Sequence, residues 1–280
     1  MPAATVERSK DGTEESRAIR TNHRRALRMC LVPGLVCGVI AGAVLAAAGV
    51  SVLVAAMVFV AVAAGMLLGL WRRAPGAVLR SLGAQPSREA DRPRLHNLVD
   101  GLCATMGLPQ PVICVVDSPV PNALSIGRDP GSATLVVTSA LDRSLTLVEL
   151  EGVLAHELVH VKRHDTVLAT VAVSVLAPCS LVLGLPSATE RVHSMIGRGR
   201  EFDADQRAAG VVRYPPGIGS ALESMLEGPD HDAPWPPGRG RTAALTRWLW
   251  VDPMVGVPAD RSTEGNLDDT RVRAAAQSLH

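Results

Sequence analysis

The chain is short of aromatic residues, with four Trp, two Phe and one Tyr among 280 positions. Its 47% apolar content and mean hydropathy of +0.20 therefore come from Ala, Val, Leu, Ile and Gly. It also lacks net charge: 28 basic and 27 acidic residues leave +1, which removes the electrostatic argument for a nucleic-acid partner, since that binding needs a basic domain or stripe. The five cysteines stand at 30, 37, 103, 114 and 179. An odd count without a Cys-x-x-Cys pair argues against a disulfide framework or a cysteine metal site and for reduced packing residues. No internal repeat is present. The averages are those of a globular protein with room for one large domain or two small ones.

The most informative absence is local. From Met29 to Leu70 no Asp, Glu, Lys, Arg or His occurs in 42 consecutive positions. As helix, this run would be roughly 63 Å long, about two crossings of a ~30 Å hydrocarbon layer. Two spans with a turn near Gly49 to Ser51 are expected, rather than a buried soluble hairpin. A cleaved signal peptide, with ~7–15 apolar residues, fits poorly. Arg8, Lys10, Arg17, Arg20, Arg24, Arg25 and Arg28 precede the run, and Trp71, Arg72, Arg73 and Arg80 come after it. Basic flanks stay in the cytoplasm, so the chain beyond the hairpin is expected there, in a multi-pass protein of the cell membrane. The chain divides into a mobile basic tail (1–25), a transmembrane helical hairpin (26–71), a linker (72–93) and a larger domain (94–280).

Within that domain, Leu95 to Met106 carries a helical apolar stripe ending at Gly107. Pro111 to Val116 and Ala133 to Thr138 read as strands, with Asp129-Pro130-Gly131 as turn chemistry between them. Leu145 to Asp165 reads as a helix, and Thr166 to Leu185 is a second uncharged stretch containing Pro178. Ser187-Ala188-Thr189-Glu190 has the form of a capping box opening a helix that runs to about Ala209. Gly228 to Gly240 is a Pro/Gly-rich loop.

The chemistry centres on His156-Glu157-Leu158-Val159-His160. Residues four apart share a helix face, so both imidazoles can meet one metal ion while Glu157 reaches a water beside it. His164 lies ~12 Å along the axis from His156, too far to share an ion, and is expected to be a surface or supporting residue. The third ligand must come from another element. Glu201 and Asp205 stand four apart downstream, so that one carboxylate could ligate while the other accepts a hydrogen bond from an imidazole. Glu190 and His193 are alternatives.

Together these residues resemble the HtpX-type integral-membrane zinc metalloproteases, related to the CAAX prenyl proteases, over roughly residues 88 to 275. The resemblance rests on Asn122-Ala123 followed by Gly127-Arg128, on Glu149-Leu150-Glu151-Gly152-Val153-Leu154-Ala155 leading into the His-Glu-x-x-His run, on Asp165, and on Arg200-Glu201-Phe202-Asp203-Ala204-Asp205. It implies an α+β fold in which the hairpin precedes a mainly helical, zincin-like (gluzincin) domain with a small β-sheet beside the active-site helix. It further implies one zinc ion per chain on His156, His160 and Glu201, Glu157 as general base, and Asp205 supporting a ligand from behind. The strand at 133–138 would hold an extended substrate by main-chain pairing. Two departures stand out. Glu264 occupies the place of a family histidine ahead of Leu267-Asp268-Asp269-Thr270-Arg271, and only Thr166 to Leu185 is available where relatives commonly carry two spans. A single crossing there would separate Glu201 from both histidines. That segment is therefore expected to continue the active-site helix, bend at Pro178 and leave residue 190 cytoplasmic.

The expected activity is metal-assisted peptide hydrolysis with polypeptide substrates, misfolded membrane proteins among them by family analogy. His193, Arg271 and Tyr214 are candidates for steadying the oxyanion. A signalling protease for one cytoplasmic regulator and an inactive membrane scaffold are the competing functions.

Overall fold

A computed structural model describes residues 3–182, 191–192, 194, 200–226, 235–238 and 240–251. Two long helices open it, α1 (Ala3–Ala47) and α2 (Val52–Leu82). Between them Gly49 takes a left-handed φ of 77°, which a glycine adopts without steric penalty, so the chain reverses where the sequence placed the turn. Ser16–Ala47 and Val52–Leu82 are long and apolar enough to cross a membrane, and only 17% and 11% of their most apolar windows are buried. Exposed Val44, Val52 and Leu53 give the hairpin an apolar outer surface.

Two boundaries differ from the sequence reading. The stretch read as a mobile tail is helical from Ala3 and continuous with the first span. Its last turn is tied down by contacts no local pattern reveals, since the Asn22 amide donates to Asp165 Oδ1 at 2.8 Å, and just beyond it Ala26 and Cys30 are fully buried against Val167, Leu168, Val171 and Val175. The linker begins as helix too, since α2 runs through Pro75 to Leu82 and buries Val78 and Leu82 in the domain.

A four-stranded sheet comes next, formed by β1 (Gln85–Pro86), β2 (Val112–Val116), β3 (Ala123–Ile126) and β4 (Thr134–Thr138) in the order β1-β2-β4-β3. β2 and β4 run parallel, and β3 pairs antiparallel with β4. Alternation assigns the side chains. Ile113, Ala123, Leu135 and Val137 enter one core with α3 (Pro93–Met106), while Cys114, Leu124, Ile126 and Val136 enter another with α2. Burial of both faces suits parallel pairing. Cys30, Cys103 and Cys114 are buried packing residues as expected, and burial pushes the Cys103 thiol up to about 11, with Asp100 adding to it.

A short α4 (Leu141–Ser144) leads to α5 (Leu147–Lys162) and α6 (Asp165–Val182). The sequence reading made α6 a continuation of α5. Instead the chain breaks at Arg163 and His164, the latter at φ 55°, a conformation uncommon for any residue but glycine. α6 is buried on both sides: Val167, Leu168, Val171 and Val175 meet the hairpin, and Ala169, Val173 and Ala177 meet the core shared with the sheet. Then come α7 (Arg200–Ala209), α8 (Gly217–Leu226) and α9 (Gly240–Leu245).

Candidate metal centre

The site is built on α5, which is fixed before it reaches the histidines. At its start Thr146 and Glu149 form a reciprocal cap: the Glu149 amide donates to the Thr146 hydroxyl at 3.4 Å and the Thr146 amide donates to the Glu149 carboxylate at 2.7 Å. Ser224 of α8 donates to the other Glu149 oxygen at 2.8 Å. Burial pushes the Glu149 pKa up, but the bonds from Thr146 and Ser224 outweigh it and leave it lowered. One turn on, a Cβ on Gly152 would lie 2.6 Å from the Ile218 nitrogen, so only glycine lets α5 and α8 cross this closely.

His156 and His160 then face the same way, with Nε2 atoms 3.2 Å apart. Glu201, delivered by α7, places Oε2 3.2 Å from His156 Nε2 and 3.5 Å from His160 Nε2. Three ligands at about 2.05 Å from one tetrahedral ion sit ~3.3 Å apart, so the trio has the spacing a single zinc ion needs. Two imidazoles and a carboxylate are also the donor set zinc favours. Each ring is held from behind. His156 Nδ1 lies 2.7 Å from Asp205 Oδ1, and His160 Nδ1 lies 3.3 Å from Asp165 Oδ2. A proton on each Nδ1 donated to these carboxylates leaves both Nε2 lone pairs facing the centre.

Electrostatics favour a cation here. Burial disfavours the His160 imidazolium, but Glu201 and Asp165 outweigh it and raise the pKa to about 9. The same balance, struck by Asp205 and Glu201, raises that of His156. Glu157 is buried, and burial pushes its pKa up against the pull of His160 and His156. Asp165 goes the other way: burial raises its pKa, but Arg200, His160 and Arg163 more than compensate. Arg163 also pairs with Asp203, which ties the start of α7 to the α5–α6 turn and brings Glu201 within reach.

The cleft in front of the trio is lined by Ser125, Glu157, His160, Arg200, Glu201, Trp248 and Leu249, among others. The strand at its side is β3, not the 133–138 segment expected to pair with substrate. β4 is interior, with both edges engaged by β2 and β3. β3 has four residues, all buried, too short to stand out in the sequence. Its outer edge is met by the main chain of residue 251, whose amide donates to the Ala123 carbonyl at 3.0 Å.

The structure thus brings His156, Glu157, His160, Glu201 and Asp205 together and leaves His164 outside, its ring 5.2 Å from that of His23. Tyr214 is half-exposed in the turn after α7 and does not line the cleft. His193, Arg271, Glu190 and Glu264 lie outside the described residues. The sequence reading missed three contributors. Asp165 and Arg200 stand in the sequence analysis only as part of the family resemblance, with no role assigned. Arg200 adjoins Glu201, and Ser125 donates to the Glu157 carbonyl at 3.3 Å.

Residues 89–196 match the model of peptidase family M48, which gives the class. Similar proteins include the protease HtpX homologs of Acidiphilium cryptum, 33% identical over 213 residues (66% of this chain, 73% of that protein), of Salinibacter ruber, 35% identical over 175 residues (55% and 63%), and of Dictyoglomus thermophilum, 34% identical over 185 residues (55% and 61%). The chain belongs to the HtpX-type family within this peptidase class. It spans about three fifths of the length of the Salinibacter and Dictyoglomus relatives.

Proposed function

We propose that the chain is a membrane-bound zinc metalloendopeptidase that hydrolyses peptide bonds on the cytoplasmic side of the cell membrane, in the quality control of membrane proteins. The observation that carries this reading is the His156, His160 and Glu201 triangle, 3.2 to 3.5 Å on each side, with a buried carboxylic acid next to it. A zinc ion held by these three residues would supply Lewis-acid polarisation of the scissile carbonyl and a water of lowered pKa. Asp205 and Asp165 keep the two imidazoles oriented. Glu157 takes the proton of the attacking water on its carboxylate and passes it to the leaving amine. A raised pKa suits a group that must both accept and release a proton near neutrality.

The membrane part of the reading is supported by the exposed apolar surface of α1 and α2, and its orientation by Arg24, Arg25 and Arg28 before the first span and Arg72 and Arg73 at the end of the second. Misfolded membrane proteins as substrates follow from kinship with the HtpX homologs. In the test, wild type and Glu157→Gln are purified in detergent and given an unfolded membrane protein. The variant is expected to keep one zinc per chain and lose activity by about 10²–10⁴-fold. Undiminished cleavage would refute the general-base role, and absence of bound zinc from the wild type would refute the metal reading.

A further inference from the structure

The helix that leads into the first span touches the metal centre from behind. Asn22 lies on α1, 143 residues from its partner, and its amide donates to Asp165 Oδ1 at 2.8 Å. The other oxygen of the same carboxylate, Oδ2, faces His160 Nδ1 at 3.3 Å. Asp165 is the first residue of α6 and is 3% exposed. Its two oxygens therefore have separate duties. Oδ2 holds the imidazole and has Arg163 and Arg200 guanidinium nitrogens at 3.6 and 3.5 Å. Oδ1 is occupied by the amide of Asn22.

That division fixes how the carboxylate is turned. The Arg163, Arg200 and His160 contacts all converge on Oδ2 and leave rotation about the Cβ–Cγ bond without a restraint on the other oxygen. The Asn22 amide supplies it, and a buried carboxylate oxygen stripped of its donor carries a desolvation penalty that favours rotation toward a new partner. The amide is itself held in place. Ala26 and Cys30, one and two turns on, are fully buried against α6, and His23 packs between Trp71 and His164 at ring distances of 6.3 and 5.2 Å.

We propose that Asn22 is a positioning residue of the metal centre: through Asp165 it sets the orientation of the His160 ring, so that the segment of α1 ahead of the membrane span tunes metal affinity from outside the catalytic domain. This rests on the zinc reading above. Partners behind a ligand histidine change metal affinity by about 10–100-fold, and Asn22, one bond further out, is expected to contribute less, roughly five- to tenfold.

The test uses the full chain in detergent. Zinc affinity is measured by competition with a chromophoric chelator for wild type, Asn22→Leu, Asp165→Ala and the double variant, alongside the melting temperature of each metal-stripped protein. Asn22→Leu should weaken zinc about five- to tenfold, lower the metal-stripped melting temperature by only about 2–4 °C, and add nothing to the loss of zinc affinity in the Asp165→Ala background. Asn22→Ala serves if the leucine variant does not accumulate. Thr21→Val, an exposed change on the same helix, should behave as wild type. Unchanged zinc affinity in Asn22→Leu, or a loss of equal size with and without Asp165, overturns the proposal. A wild type that binds no zinc overturns instead the reading on which it rests.

Discussion

The hairpin and α6 are built from the same residue types, and the structure uses them in opposite ways. Val36, Val44 and Val52 of the hairpin are 53%, 62% and 82% exposed, whereas Val167, Val171 and Val173 of α6 are 0% exposed. Hydropathy alone does not separate the two. What separates them is chemistry at a distance: the histidines stand before α6 and Glu201 after it, and a chain that crossed the membrane once between them could not close the triangle. A lone hydrophobic segment flanked by the ligands of one site is thereby barred from spanning, whereas a pair of spans would return the chain to the same side.

The largest effect that sharpens this contrast comes from placing the same charge in each region. Val171→Asp buries an unpaired carboxylate between α6 and the hairpin and should destabilise the fold by about 4 kcal/mol or more, abolishing zinc binding along with the folded state. Val36→Asp should impair membrane insertion by about 2.5–3.5 kcal/mol while leaving zinc binding intact in the protein that does insert. Thermal unfolding and metal content of detergent-purified protein read both, and equal sensitivity at the two positions would erase the distinction. A smaller effect comes from Gly→Ala exchanges. Gly152→Ala drives a methyl into the α8 backbone and should destabilise by about 1–3 kcal/mol, while at Gly65 a Cβ meets nothing within 4 Å and the change should stay within about 1 kcal/mol.

The smallest effect is a pH dependence set at the start of α5. The pKa of Glu149 is lowered in the folded state, so its stabilising contribution is fully present above the ordinary glutamate value, about 4.3. It is lost as pH falls through the lower folded value. Glu149→Gln should flatten the acid limb of the stability profile below about pH 4.3. Thr146→Ala should lower stability by about 1 kcal/mol through loss of the cap, and a melting curve unmoved by either change would show that the cap contributes nothing.

The core of the site was legible because its chemistry is written in spacing. Residues four apart on a helix share a face, and that rule alone pairs His156 with His160 and Glu201 with Asp205. The turn at Gly49 was legible for the same kind of reason. The position of Asp165 was not. In an unbroken helix, residue 165 would be rotated about 140° from residue 160, on the far side from the imidazole. Only the left-handed φ of His164 brings the carboxylate back, and the enrichment of histidine in that conformation is too weak to announce it from the sequence. Asn22 was illegible on other grounds, since a polar residue in a charged, non-periodic stretch has no local signal for a partner 143 positions away. Likewise β3 drew no notice because four residues buried on both faces show no alternation.

The reversal between α1 and α2 also sets an order of events during synthesis. The hairpin ends at Leu82, and the first ligand histidine is translated only about seventy residues later, a delay of roughly 4 to 15 s at ordinary elongation rates. The helices at the membrane are complete well before any residue of the cleft exists, and α6 has its docking surface waiting when it emerges. On the proposed reading as a membrane protease, a chain assembled in this sequence would be anchored before its cleft is complete, with no period as a free, active enzyme.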